Sequence, residues 1–224
     1  MDATVTTRRS GWSRLVPTSL ETAYRKDPAL RGVRGAEAIL YPGVWALWVH
    51  RLVHPIWRLG VPFLPRLISQ LARMLTGVEI HPAATIGHRF YIDHGAGVVI
   101  GETSEIGDDV MMYHGVTLGG HGWWADRKGS KRHPTIGDNV TLGVGAAVLG
   151  PVTVGANCRI GPYAVVVEDV PANSIVVAPK GRRLAERGAP VDHGLDNGNG
   201  TGNGSEVDGL LQPAWLEDHE MGAL

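Results

Sequence analysis

Side chains able to move a proton or grip a charge gather at three places in a stretch that is otherwise aliphatic, glycine and turn-forming. The first is Glu79-Ile80-His81-Pro82, and the second is Ile92-Asp93-His94-Gly95, with Gly101-Glu102-Thr103 shortly after it. The third runs from Gly119-Gly120-His121 to Lys131-Arg132-His133-Pro134. Histidine's ordinary pKa of about 6.5 lets it accept and return a proton near neutrality, which a hydroxyl nucleophile needs because it is unreactive by itself. A neighbouring carboxylate fixes the tautomer of such a ring and stabilises the imidazolium as it forms. Arginine adds a planar fork that matches a carboxylate.

The elements that must position these groups are set by a period of six. Aliphatic residues recur at Ile80, Ile86 and Ile92, then at Ile100, Ile106, Met112 and Leu118, then at Ile136, Leu142, Val148, Val154, Ile160 and Val166. The register slips by two residues once, around 98–99, and after Leu118 the chain leaves the repeat for a projecting loop. Glycine follows many of these aliphatics, and small or β-branched residues such as Ala84, Val110, Val140 and Cys158 stand four positions after them. That period is neither helical nor two-residue, and glycine and β-branched residues are too frequent for helix. A hexapeptide repeat predicts a parallel β-helix: three hexapeptides per triangular coil, each short strand paired with coils about 4.8 Å above and below. The expected class is therefore mainly β with an α-helical N-terminal region.

Composition bounds the rest. The chain has 224 residues, 43% hydrophobic and 19% charged, with a net charge of −1, enough for one core and an accessory region. No basic excess or nucleic-acid motif points to RNA or DNA. The first seventeen residues carry Arg8, Arg9 and Arg14 without an apolar core, so they do not read as a secretory signal, and a cytoplasmic protein is expected. One cysteine, Cys158, excludes an internal disulfide framework and occupies a small-residue slot of the repeat. We read 1–17 as flexible, 18–77 as a helical N-terminal domain, 78–187 as the β-helix and 188–224 as a disordered Gly/Asn-rich tail. Helices are predicted over 19–26, from Pro42 with a kink or end at Pro55, and over 65–75 with Thr76-Gly77 as its stop. Polar His50, Arg51, His54 and Arg58 rule out a clean membrane span in the second. Trp45, Trp48, Trp57 and Phe63 are more than a small cap can hide, so the helices are expected to pack on another subunit.

Glu79-Ile80-His81-Pro82-Ala83-Ala84, Asp93-His94, Val99-Ile100-Gly101-Glu102-Thr103, Val116-Thr117-Leu118-Gly119-Gly120 and Arg132-His133-Pro134 together resemble the serine O-acetyltransferases. The resemblance covers about 27–184. It implies a left-handed β-helix, an exception to the right-handed crossover rule. It also implies transfer of acetyl from acetyl-CoA to the hydroxyl of L-serine, giving O-acetyl-L-serine for cysteine synthesis. By the same resemblance His94 is the general base and Glu79 stands where the family carries an orienting aspartate. Asp27 and Asp93 take the substrate ammonium, Arg132 its carboxylate, and His133 its carboxylate or hydroxyl. Gly119 and Gly120 allow backbone N–H groups to approach the oxyanion, and Lys180, Arg182 and Arg183 lie where basic residues meet the nucleotide phosphates.

Further expectations follow from that family. The chain should form a trimer with active sites between neighbours, paired by the helical caps into a hexamer, and L-cysteine should inhibit by competing with serine. The C-terminal tail, ending Met221-Gly222-Ala223-Leu224, could enter the active site of cysteine synthase. Glu102 is expected to structure its corner rather than touch substrate. A sibling O-acetyltransferase acting on homoserine or a sugar is the main alternative. A β-helical zinc hydratase using three of His81, His88, His94, His114, His121 and His133 is a remote one. The expected chemistry needs no metal.

Overall fold

The computed structural model describes residues 15–31, 37–122 and 129–181. From Glu79 to Val176 the described residues form a left-handed parallel β-helix of three sheets, one per face of a triangular prism. The first face holds β1 (Glu79–Ile80), β4 (Val99–Ile100), β7 (Thr117–Gly119), β10 (Ala147–Leu149) and β13 (Val165–Val166). The second holds β2 (Thr85–Ile86), β5 (Glu105–Ile106), β8 (Thr135–Ile136) and β11 (Thr153–Val154). The third holds β3 (Tyr91–Ile92), β6 (Met111–Met112), β9 (Thr141–Leu142), β12 (Arg159–Ile160) and β14 (Ile175–Val176).

Strands this short are stable because one residue of each points inward onto a shared column. Ile100, Met112, Leu118, Leu142, Val148 and Val154 have no exposed surface at all, and each contributes about 1.5–3 kcal/mol by leaving water. Cys158 belongs to this column, fully buried, with Sγ 3.0 Å from the carbonyl of Pro171. The corner after the second face is held by a stack of left-handed residues, Arg89, Asp109, Asn139, Asn157 and Asn173. Asparagine tolerates this conformation, and here it also forms a ladder, Asn139 Nδ2 donating to Asn157 Oδ1 at 2.9 Å and Asn157 Nδ2 to Asn173 Oδ1 at 3.1 Å.

Two departures from strict repetition create the features that matter. Glu79 pairs with Val99, twenty residues on, whereas Val99 pairs with Thr117, eighteen on. The two extra residues fall between β3 and β4, widening the corner that carries Asp93-His94-Gly95. The second departure is the loop between β7 and β8, which leaves the prism at Gly120 and returns through Lys131-Arg132-His133-Pro134. Thr117 nonetheless pairs with Ala147 in register, so the coils close beneath the loop.

Among the described residues three α-helices pack on the first coils: α1 (Leu15–Lys26), α2 (Pro42–Arg58) and α3 (Leu64–Thr76). α1 begins before the expected 19, since Pro17 lies in the first turn, where a backbone N–H has no helical partner. α2 opens at Pro42 as expected but continues past Pro55 to Arg58. Gly43 is required at its start: a Cβ there would lie 2.5 Å from the carbonyl oxygen of Ile92. α3 ends at Gly77 with φ 70°, its N–H bonding the carbonyl of Arg73 at 2.8 Å. α1 is fastened to a prism corner by Arg25 and Lys26, whose Nη2 and Nζ reach the Asp109 carboxylate and carbonyl at 2.8 and 2.7 Å. Leu64, Leu67, Leu71, Met74 and Leu75 leave one side of α3 exposed and apolar. Among the described residues no helix is long and apolar enough to cross a membrane.

Candidate active site

The widened corner presents His94 on the surface in a left-handed conformation, φ 59°, followed by Gly95 at φ 83°. Its ring lies edge-on to that of His114 on the next coil, centroids 5.6 Å apart. The half-buried Asp93 is tied into the prism by its N–H, which donates to the Met112 carbonyl at 2.9 Å.

Asp27, far away in sequence, arrives at the same place from the end of α1. Its Oδ1 accepts the Ala29 N–H at 2.7 Å and its Oδ2 accepts the Tyr41 hydroxyl at 2.6 Å. The Tyr91 hydroxyl, in turn, lies 3.4 Å from Asp93 Oδ1. The two carboxylates act on both phenols. The hydrogen bond to Asp27 is the main reason the Tyr41 pKa is raised to about 12, with burial and the charges of Asp27 and Asp93 adding to it. Burial chiefly raises that of Tyr91, followed by Asp93 and Asp27. The result is a concentrated negative wall whose phenols stay protonated and remain donors, an arrangement that attracts an ammonium group.

The second cluster lies at the next corner, between the first and second faces. Arg132 Nη2 pairs with Glu102 Oε2. His133 is 8% exposed, and its Nδ1 accepts the Thr103 N–H at 3.1 Å while lying 2.9 Å from Thr103 Oγ1. An accepting Nδ1 places the ring proton on Nε2. Gly101 makes room for this ring, since a Cβ there would lie 2.0 Å from His133 Cδ2. His81 belongs to the same neighbourhood one coil earlier. Burial is the main reason its pKa falls to about 4; Arg66, His133 and Arg132 lower it further and Glu102 opposes them.

Glu79 faces helix α3: Oε1 lies 3.3 Å from Arg66 Nη2 and Oε2 3.3 Å from Arg73 Nη1. Among the described residues no hydrogen bond or ion pair joins it to His94. Gly119 ends β7, its carbonyl accepting the Gly150 N–H at 3.0 Å, and Gly120 follows at the base of the loop. Lys180 is exposed at the far end of the prism. Arg182, Arg183, Trp123, Trp124, Lys128 and the tail 188–224 lie outside the described residues.

The structure thus sorts the expected residues into two groups on adjacent corners: Asp27, Asp93 and His94 on one, Arg132 and His133 on the other, with the first face between them. Sequence reading passed over Tyr41, Tyr91 and Thr103 as partners of these groups. Thr103 alone carried a signal, standing in Gly101-Glu102-Thr103. The tyrosines had none, because Tyr91 occupies an ordinary strand position and Tyr41 meets Asp27 only through helix packing. Among the described residues no three of His, Cys, Asp and Glu form a group able to hold a metal ion.

Comparison with known proteins bears on the family and the fold. Residues 133–167 match the family model described as bacterial transferase hexapeptide (six repeats). The chain is 47% identical over 185 residues to the serine acetyltransferase of Bacillus pumilus, covering 82% of each chain. It is 49% identical over 178 residues to that of Mycobacterium tuberculosis, covering 77% of this chain and 75% of the other. Among solved structures, serine acetyltransferase isoform 3 of Entamoeba histolytica in complex with cysteine superposes with a TM-score of 0.70 at 36% identity, covering 78% of this chain and 60% of that one. The Neisseria gonorrhoeae serine acetyltransferase in complex with serine gives 0.68 at 36% identity, covering 76% and 68%. This chain therefore spans about three fifths of the Entamoeba protein's length.

Proposed function

The chain belongs to the serine acetyltransferase family, and from that membership we propose that it transfers acetyl from acetyl-CoA to the hydroxyl of L-serine, the first step of cysteine biosynthesis. The observation that carries the reading is the widened corner after β3, where two inserted residues present His94 next to Asp93, whose carboxylate shares the phenols of Tyr41 and Tyr91 with Asp27.

In this reading the serine ammonium sits against Asp27 and Asp93, and His94 takes the hydroxyl proton as the oxygen attacks the thioester carbon. The CoA sulfur leaves and receives that proton. Backbone N–H groups at Gly119 and Gly120 face the charge that develops on the acetyl oxygen, and Lys180 with Arg182 meets the nucleotide phosphates. Glu79 is the carboxylate that the family resemblance assigns to orienting His94. Arg132 and His133 hold the serine carboxylate.

Because Arg132 and His133 occupy a different corner from His94, one prism does not close the site. A neighbouring copy that brings its own second corner against the first would, which is the physical reason for a trimer with its sites in the clefts. The exposed apolar side of α3 supports a further pairing of trimers. L-cysteine offers the same ammonium and carboxylate with a thiol for the hydroxyl, so it competes with serine; a relative binds cysteine. The C-terminal tail, ending in Leu224, is the segment that would enter cysteine synthase.

The test is acetyl-CoA consumption measured with L-serine, L-homoserine, a galactoside and no acceptor. Turnover with L-serine at least tenfold above the others supports the reading. A preference for homoserine or the sugar replaces it with a sibling acetyltransferase.

A further inference from the structure

Thr103 does more than fill a turn. Its Oγ1 accepts two consecutive backbone N–H groups of the returning loop, those of Arg132 and His133, each at 3.0 Å. The same oxygen lies 2.9 Å from His133 Nδ1, and the Thr103 N–H donates to that nitrogen at 3.1 Å. The Thr103 carbonyl accepts from Lys131 Nζ at 2.7 Å. One residue of the prism therefore engages three successive residues where the loop comes back. The flanking residues are shaped to the same purpose, Gly101 by leaving space for the His133 ring and Glu102 by pairing with Arg132.

We propose that Thr103 is the positioning residue of the carboxylate-binding half of the site: its hydroxyl and N–H set the tautomer and placement of His133 and anchor the backbone from which Arg132 reaches the substrate carboxylate. The proposal rests on the serine acetyltransferase reading for its kinetic consequence, not for its structural content. Thr103 touches no reacting atom. It acts through the loop, which needs an anchor because the loop leaves the repeat at Gly120 and rejoins it only at β8. The hydroxyl is the operative group, since a backbone N–H alone would hold the ring and leave two loop amides without their acceptor.

Two variants of the full-length protein separate the hydroxyl from the shape of the side chain. Thr103→Val keeps the volume and the backbone N–H and removes the oxygen; Thr103→Ser keeps the oxygen. Expected for Thr103→Val is a rise in KM for L-serine on the order of tenfold to a hundredfold, the effect of losing one or two such bonds. The KM for acetyl-CoA should stay within about twofold, and Thr103→Ser should restore the serine KM to within a few-fold. Equal changes in both KM values, or no rescue in Thr103→Ser, overturns the proposal. Amide hydrogen exchange on the wild-type protein decides the structural part without any turnover. The amides of Arg132 and His133 should exchange at least tenfold more slowly than unprotected loop amides, and Thr103→Val should remove that protection. Fast exchange at both amides in the wild type overturns the proposal even if Thr103→Val does not fold. Absence of serine turnover in the wild type would instead sink the proposed function, while the exchange rates would still decide whether Thr103 anchors the loop.

Discussion

Replacing Gly101 by alanine tests how closely His133 is held. A Cβ built at Gly101 lies 2.0 Å from His133 Cδ2 and 2.1 Å from Nε2, whereas ordinary contact between such atoms is about 3.5 Å or more. The ring must retreat by roughly 1.5 Å. It cannot do so freely, because Thr103 binds its Nδ1 at 2.9 and 3.1 Å and the residue is 8% exposed. Gly101 is not among the residues with positive φ, so the substitution adds no backbone strain and the effect is confined to the ring. A displacement of about 1 Å in a positioning group is worth about a hundredfold in rate, and we expect kcat/KM for L-serine to fall by that factor. The KM for acetyl-CoA should move by less than about twofold, and overpacking of about 1–3 kcal/mol should lower the melting temperature by several degrees. The assay is release of the CoA thiol, followed with a chromogenic thiol reagent at varied L-serine and saturating acetyl-CoA, beside scanning calorimetry. A folded Gly101→Ala protein with near-normal kcat/KM for serine would refute the placement of His133 in the serine site.

The remaining expectations can be checked with the same assays. His94→Ala should lower turnover by about two to four orders of magnitude, the share of general base catalysis, with acetyl-CoA binding measured by calorimetry nearly intact. Tyr41→Phe removes the hydroxyl that donates to Asp27 and should raise the KM for L-serine several-fold, about 1 kcal/mol, with little change in kcat. Burial is the main reason the pKa of His50 falls to about 3, with the charges of His54 and Arg51 next. The unfolded chain therefore binds a proton there that the folded one does not. This contribution to stability is complete above about pH 6.5 and lost as the pH falls toward 3, at up to about 1.4 kcal/mol per pH unit. A melting temperature that drops over that range in the wild type but less in His50→Gln would agree, and equal slopes would not. L-cysteine should raise the apparent KM for L-serine without lowering the maximal rate; a pattern wholly non-competitive with serine would contradict a shared site.

The prism was legible from the sequence because each hexapeptide is solved locally: one aliphatic inward, one corner, one paired strand, repeated. Ile100, Met112 and Leu118 lie in the core, where the period of six puts them. The two departures were legible as well, since a break in a regular period is visible without coordinates. The expected His94 and the Arg132-His133 pair both sit where the chain departs from the repeat. The partners of those residues were not legible. Tyr41 meets Asp27 only because α2 packs against the first coil, and that docking depends on Gly43 passing close to Ile92. Nor could spacing say that Glu79 would turn to Arg66 and Arg73, because that choice is made by the face α3 lays on β1. Thr103 reaches Arg132 across twenty-nine positions of sequence, a distance that a local pattern does not encode. A repeat specifies contacts between neighbouring coils, one period apart, so its own sequence determines them; a helix docked from outside or a loop returning from solvent is placed by side-chain shape and charge, and only the tertiary structure decides which groups then meet.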